Sequence, residues 1–505
     1  MATEAEILEA RRHRAEQLRD AGVELFPARV PRPLARIPEV IAEHGEKTAD
    51  QLAGDDTQVC IAGRIVGLRS FGKMAFVSLM GEGEVLQAWV KRDALGEDAY
   101  ASFKLYETGD FMWARGPLIR TKKGELSVDA AEIGFLAKSY RPLPEKWHGL
   151  TDVEARYRQR YLDLIANPDT RRIAVARSRI LSSMRSFLDA RGFLEVETPV
   201  LQPIYGGANA KPFVTMHSTY GEQLYLRISF ELYLKRLIIG GLDRVYEVGR
   251  DFRNEGVSRK HNPEFTMLEV YQSYADYRDM MALTEELVAN AARHALGITR
   301  VERGDETLEL EPPWPRRAMS DLIREACGVD IERATTLESL RAAVCEHRVA
   351  GVDPEKAPTW GRLVDDVFSQ AVEPSLVQPT FVIDYPVELS TLAKRSSESD
   401  ALVERFELFI GGIEIANAFT ELNDPDDQRA RFMEQIEASR AGDEDAQPLD
   451  EDFLLALEHG MPPTGGMGLG VGRLAMMLTG ASHLREVKLF PHMRRLEPGK
   501  AGDED

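Results

Sequence analysis

The stretch with the least conformational freedom is RVYEVGRDFRNEGVSRKHNPEFTMLEVYQSY, residues 244–274. Two runs of strand character, 244–253 and 264–274, flank a polar loop, 254–262, in which Gly256 and Asn262 form turns. Alternate side chains of a strand share a face. Phe265, Met267, Glu269 and Tyr271 therefore fall on one side, and Thr266, Leu268, Val270 and Gln272 on the other. The Leu268/Val270 side reads as core. The opposite side lines up an aromatic ring, a carboxylate and a phenol, a suitable wall for a polar ligand, although an amphipathic hairpin with a solvated outer face is the plainer alternative. Arg253 closes the first run, where a guanidinium can grip a phosphate through two parallel hydrogen bonds.

A chain of 505 residues has room for two or more domains around large cores. Its 43% hydrophobic and 29% charged residues are those of a soluble globular protein. No apolar run reaches the length of a membrane span, and the acidic start Met1–Leu8 resembles no targeting segment. Cys60, Cys327 and Cys345 lie far apart, which argues against a disulfide framework or zinc site and for a reducing, cytoplasmic location. The net charge of −20 is uneven: residues 1–150 carry 21 Lys/Arg against 23 Asp/Glu. That nearly neutral part can present local basic patches to a nucleic acid.

The hairpin carries a resemblance. Phe252-Arg253-Asn254-Glu255, followed by His261-Asn262-Pro263-Glu264-Phe265-Thr266, resembles motif 2 of the class II aminoacyl-tRNA synthetases. With Met267–Tyr271 behind it, the wording is most similar to the lysine-specific members, and the likeness extends over nearly the whole chain. The implied fold class is α+β: an N-terminal OB-fold β-barrel plus a catalytic domain built on an antiparallel sheet flanked by helices.

Taken in order, residues 3–21 read as an amphipathic helix, with Thr3 and Glu6 as a capping box and Gly22 as its stop, inside a helical extension over 1–56. Strand patterns at 57–66, 74–80, 84–91, 110–119 and 125–136, with a helical stretch at 93–106, follow the element order of an OB-fold within 57–140. Phe76 and Gln87 suit base stacking and edge hydrogen bonding, and Arg64, Arg69 and Lys73 suit phosphates. The family resemblance implies that Phe76 and Gln87 recognise the middle anticodon base. Arg141–Gly149, with two prolines, reads as a linker over 141–152 leading to a catalytic domain over 153–505. The helical pattern 168–191, Gly192 and the strand 193–199 resemble motif 1, which implies a homodimer. Residues 300–380 read as helices and loops inserted in the catalytic domain.

Two further stretches complete the pattern. Around Gly411-Gly412 a two-residue turn sets Ile410 opposite Ile413, Glu414 opposite Phe409 and Glu407 opposite Ala416. Glu407 and Glu414 then share a face as diagonal neighbours, roughly 7–8 Å apart at Cα, a spacing at which Mg²⁺ can sit between them with phosphate oxygens. Asn417, Phe419 and Glu421 have the opposite parity, so a bulge or a twist near Ala416 is required if all of these line one site. In Pro462–Arg473, Gly466, Gly468, Gly470 and Gly472 alternate and open a strand face to a flat ring. The prolines before them rule out a dinucleotide fingerprint, and the stretch resembles motif 3.

The resemblance implies an enzyme that joins L-lysine to ATP as lysyl-adenylate and passes the lysyl group to the 3′ end of tRNA(Lys). It implies that Arg253 bridges the α-phosphate and the amino-acid carboxylate, and that Phe265 and Arg473 sandwich adenine while Glu255 and His261 place ATP. Glu407 and Glu414 would hold Mg²⁺, more than one ion entering with ATP, and Glu407 would also touch the nucleotide. Gly207 and Glu231 would receive the α-ammonium, Asn417 and Phe419 would border the lysine, and Glu421 with the Tyr271 hydroxyl and Glu269 would take the ε-ammonium. An aspartate or asparagine enzyme needs a cation there, and a protein-lysylating relative lacks the barrel. A non-catalytic scaffold would have lost Arg253, Glu407, Glu414 or Arg473. The chain departs from the family pattern at Gly472, where Asp is usual and would cap a helix, at Ala416 and Ala418, where glycines are common, and at Phe230, often Pro.

Overall fold

The computed structural model describes residues 3–55, 57–143, 150–440 and 448–495. They form two compact units, Met1–Arg171 and Arg172–Asp505. Residues 144–149 of the expected linker lie outside the described residues.

The first unit begins with helix α1, Glu4–Asp20, capped reciprocally by Thr3 and Glu6 as anticipated. The strands β1 (Gln58–Phe71), β2 (Met74–Gly81), β3 (Glu84–Lys91), β4 (Phe111–Arg120), β5 (Leu126–Ala130) and β6 (Glu132–Ala137) follow. They pair in the order β1-β2-β3-β5-β4-β6, and β1 also pairs with β4, which closes the barrel of an OB-fold. The expected last strand is split in two at Ala131. Gly116 of β4 permits the change of direction, since a Cβ there would lie 1.9 Å from the Asp129 carbonyl oxygen. Ile61, Ala75, Val77, Leu79, Ala88, Val90 and Val128 alternate inward and are fully buried, so the barrel is filled by its own strands.

The second unit is built on an eight-stranded sheet. Its strands, in spatial order, are Arg316–Ala318, Thr380–Pro386, Leu402–Ile410, Ile413–Thr420, Thr464–Gly470, Glu264–Ser273, Arg244–Phe252 and Leu194–Glu195. The six central strands are antiparallel and the two outermost pair parallel with their neighbours. The motif 1 strand expected over 193–199 pairs only at Leu194 and Glu195, because the Glu247 carboxylate takes the Thr198 N–H at 3.0 Å and ends the ladder. Residues 300–380 are more than an insertion, since 316–318 and the strand starting at Thr380 extend the sheet. Leu268, Val270, Phe406, Leu408, Ala416, Ala418, Met467 and Leu469 cover one sheet face and are buried in one core with helices Tyr277–Leu296 and Val471–Thr479. The other face holds the cavity described next.

Candidate active site

The register of the sheet decides which side chains meet. In the hairpin Arg244–Phe252/Glu264–Ser273, Glu269 lies opposite Glu247 and Gly468, and Tyr271 opposite Gly466. Between Leu402–Ile410 and Ile413–Thr420 the pairing slips: Phe409 faces Glu414, but Leu408 faces Ala416 and Glu407 faces Asn417. Ile415 is the extra residue of a β-bulge, so Glu407 does not stand opposite Ala416 as simple alternation gives. The bulge also reverses the parity of the strand. Glu414, Asn417, Phe419 and Glu421 therefore share a face, while the methyls of Ala416 and Ala418, the positions where the family commonly has glycine, point into the core and not toward the pocket.

A single cavity of about 380 Å³ results. Gly207, Glu231, Arg253, Glu255, His261, Phe265, Glu269, Tyr271, Glu407, Glu414, Asn417, Phe419, Glu421 and Arg473 all line it. The volume is of the size used for small ligands.

At one end the wall is acidic. Glu231 opens helix Glu231–Ile239, and Gly207, at φ +86, packs so closely that a Cβ would lie 3.1 Å from that of Glu231. Glu269 accepts from Ser229 Oγ at 2.9 Å and from the Tyr271 hydroxyl at 3.2 Å, so in this state that hydroxyl serves Glu269 and not Glu421. Glu421 is completely buried, and neither carboxylate oxygen has an aligned hydrogen-bond donor. Burial foremost, then Glu231, pushes its carboxyl up to about 8 against the opposing pull of Lys235. Burial and the neighbouring Asp251 and Glu231 likewise hold Glu269 well above the usual carboxylate range. Gly466 makes this crowding possible, since a Cβ there would stand 2.0 Å from Glu421 Oε1 and 2.5 Å from the Tyr271 ring.

At the other end the groups are cationic. Arg253 lies with its guanidinium 5.1 Å from the centre of the Phe265 ring, and its Nε donates to the Ile228 carbonyl at 3.3 Å. Arg473 donates to the Glu414 carboxylate and carbonyl, both at 2.9 Å, and holds that carboxyl below its ordinary range despite burial. The helix after the glycine strand starts at Val471 with Gly470 as N-cap, so Gly472 lies inside the first turn and is not the cap. A Cβ at 472 would come 3.2 Å from Leu484, so the position is tight as well as uncharged. Burial, then Arg473, pushes His261 down to about 4, which keeps its ring neutral at physiological pH.

Several members of the site escaped the sequence reading. Arg405, in the same strand as Glu407, donates to Glu407 Oε1 at 2.5 Å, Asn417 Oδ1 at 3.1 Å, Ser390 Oγ at 2.9 Å and the Leu389 carbonyl at 2.6 Å. It thereby turns the Asn417 amide so that its NH₂ group is left for the cavity. Tyr385 donates to Glu407 Oε2 at 2.9 Å. Burial, partly offset by Arg405, pushes the Glu407 carboxyl up to about 7. Asp251, buried beneath Arg253, stands 3.5 Å from Arg227 and lacks any hydrogen bond to its carboxylate. The period-two alternation placed Arg405 beside Glu407, and that was the available signal; nothing local marked Asp251.

Glu407 and Glu414 offer hard oxygen donors of the kind Mg²⁺ prefers. Among the described residues no three Asp, Glu, His or Cys side chains converge on one point. Two carboxylates with substrate phosphates is the usual protein share of a Mg²⁺–nucleotide site, so the donor set fits.

In the first unit, the barrel's outer face places Arg69 opposite Phe76, Phe76 opposite Trp89, and Ser78 opposite Gln87. The Phe76 and Trp89 rings stack with centres 5.9 Å apart. The Gln87 amide is oriented, its oxygen accepting from Ser127 at 2.9 Å and its nitrogen donating to Glu125 at 2.8 Å. Arg64 is drawn aside, stacked 4.2 Å over Phe111 and donating to the Gly109 carbonyl.

Residues 152–494 match the family described as tRNA synthetases class II (D, K and N), which covers well over half of the chain. The chain belongs to that class II family. Residues 59–136 match the OB-fold nucleic acid binding domain. This class II chain is 49% identical over 488 residues to the lysine–tRNA ligase of Bacillus subtilis (strain 168), covering 97% of each. It is 51% identical over 494 residues to that of Roseiflexus castenholzii, covering 97% of this chain and 99% of the relative. With the lysine–tRNA ligase of Chloroflexus aurantiacus it shares 51% identity over 481 residues, 95% of this chain and 96% of the relative.

Proposed function

We propose that this class II synthetase is a lysine–tRNA ligase: it activates L-lysine with ATP to lysyl-adenylate and transfers the lysyl group to the 3′ end of tRNA(Lys). One observation carries the reading beyond kinship. A single cavity has Arg253 and Arg473 at one end and Glu231, Glu269 and Glu421 at the other. A molecule with a carboxylate and two ammonium groups, presented beside a triphosphate, matches the sign of the charge at each end. An aspartate or asparagine side chain meets only acids there.

The first step is in-line attack of the lysine carboxylate on the α-phosphorus, displacing pyrophosphate. A carboxylate is deprotonated already, so positioning and charge stabilisation dominate and no general base is needed. Arg253 spans the α-phosphate and the carboxylate, and its guanidinium bears the charge that develops between them. Phe265 and Arg473 border adenine across the strand face opened by Gly468 and Gly470, while Glu255 and His261 place the triphosphate. Glu407 and Glu414 hold Mg²⁺, which when bound neutralises phosphate charge. The Asn417 NH₂ group, aimed by Arg405, meets the lysine carboxylate, and Phe419 packs along the substrate. Gly207 and Glu231 receive the α-ammonium; Glu421, Glu269 and Tyr271 close around the ε-ammonium. A neutral side chain would leave that buried acid without its cation, a mismatch that costs several kcal/mol.

For the tRNA, Phe76, Gln87 and Arg69 read the anticodon, with Arg64 at the margin. A homodimer is supported by the apolar Leu201, Val214 and Met216, exposed at 47%, 58% and 60% on the small sheet Leu201–Gln202/Glu222–Leu226/Val214–His217. A cytoplasmic location accords with the absence, among the described residues, of any helix long and apolar enough to cross a membrane. ATP–pyrophosphate exchange with each of the amino acids, followed by charging of tRNA, tests the function. Exchange with lysine alone is the expected result, and exchange with aspartate or asparagine, or with nothing, overturns it.

A further inference from the structure

Under the acidic end of the cavity lies a side chain that the roles above do not use. Lys235 is fully buried, its ammonium 2.6 Å from Glu231 Oε1 and 2.5 Å from Glu421 Oε2. It does not line the cavity. Helix Glu231–Ile239 carries it one turn behind Glu231, so one rigid element supplies both the acid and its counter-ion. Phe453 stands 6.0 Å away on its apolar flank. The charged and titratable groups facing this cluster are Glu231 on the same helix, Glu269 and Tyr271 on the hairpin strand, and Glu421 just past the end of strand Ile413–Thr420. Burial alone would strip the proton from Lys235, but Glu231 and Glu421 outweigh it and keep it charged.

We propose that Lys235 is a positioning residue for lysine specificity: its ammonium ties the acid that meets the substrate α-amino group to the acid that meets the ε-amino group, and fixes the pocket's unneutralised charge at two. The inference rests on the function proposed above. In the lysine complex, where the substrate ammonium groups draw Glu231, Glu269 and Glu421 into their ionised forms, three negative charges face one resident positive charge. Two remain, equal to the two ammonium groups of lysine. A monoamine leaves one acid unpaired in a buried site, and buried unpaired charge is what such a site tolerates least. The bridge also sets geometry. Glu421 has no aligned hydrogen bond of its own, so Lys235 is the contact that keeps its carboxylate facing Glu231 across the pocket floor.

Lys235→Met keeps the bulk and removes the charge; Lys235→Arg keeps the charge. Exchange by the unsubstituted protein with lysine is the control, and its failure would sink the function and not merely this role. Given that activity, Lys235→Met should raise the KM for lysine tenfold or more at pH 7, with the excess shrinking as the pH is raised toward 9. Its KM for ATP should stay within twofold, and Lys235→Arg should recover part of the loss. A lysine KM that is unchanged, or that moves together with the ATP KM at every pH, overturns the proposal. Should neither variant fold, the buried ammonium is followed by ¹⁵N NMR in the unsubstituted protein. A shift on adding lysine but not ATP sustains the role, and indifference to lysine removes it.

Discussion

Glu421 has no exposed surface and a carboxyl pushed up to about 8, chiefly by its burial, so it is largely protonated at neutral pH. A substrate ammonium needs the ionised form. Since the ε-amino group of lysine titrates only near pH 10.4, raising the pH from 6.5 through 8 brings the acid to its midpoint while that ammonium stays charged. Lysine affinity should therefore rise below pH 8, by about tenfold per unit for each proton displaced, and flatten only beyond that midpoint. Calorimetry in buffers of different ionisation heat should find net proton release on lysine binding at pH 7, since Glu269 as well as Glu421 is held above the usual carboxylate range; heats independent of the buffer would contradict it. Glu421→Gln, neutral at every pH, should lower lysine-dependent exchange by at least about 100-fold. Arg405 makes a separate case. Arg405→Lys cannot hold Glu407 and Asn417 together in the guanidinium geometry. We expect about a tenfold or larger fall in kcat/KM for exchange, and unaltered kinetics would show that Asn417 orients itself.

At the scale of the strand and the turn, local patterning carried far. Alternation in 264–274 identified the wall of the cavity, and the Gly411-Gly412 turn set the correct starting pair, Ile410 with Ile413. The bulge at Ile415 was legible only as a necessity, because a β-bulge is a matter of which partner a backbone group finds and not of any residue type. The same limit hid Lys235 and Asp251. Their significance lies in neighbours brought from other strands, and a lysine one turn behind a glutamate reads as an ordinary surface pair. Gly466 behaves in the opposite way, since the alternating glycines flagged it at once but for a flat ligand. The structure gives its Cβ space to Glu421 and Tyr271. Gly466→Ala should accordingly displace those two side chains and raise the lysine KM by about tenfold or more, with far-ultraviolet circular dichroism unchanged. An alanine variant with native lysine kinetics would show that the crowding is relieved by other means.

Across the whole molecule, the cavity lies in the unit Arg172–Asp505 and the OB-fold in the unit Met1–Arg171, so the proposed function assigns chemistry and tRNA reading to different units of the chain. Phe76→Ala removes a stacking ring from the barrel face, and stacking is worth about 1–3 kcal/mol per base. It should therefore weaken tRNA charging, through the KM for tRNA, by about 5- to 150-fold, while lysine–ATP exchange proceeds at its normal rate. Equal loss in both assays would mean that the substitution had damaged the fold. Within the larger unit, the bulge at Ile415 divides one strand in two: in the proposed mechanism Glu414 before it serves the nucleotide, and Asn417, Phe419 and Glu421 after it serve the monomer. On that reading, rewriting the later stretch alone cannot exchange the cargo, because Glu231, Glu269 and Tyr271 border the same cavity from a helix and another strand. A change of amino acid on this scaffold is a joint revision of three elements, with the nucleotide's side of the bulge left in place.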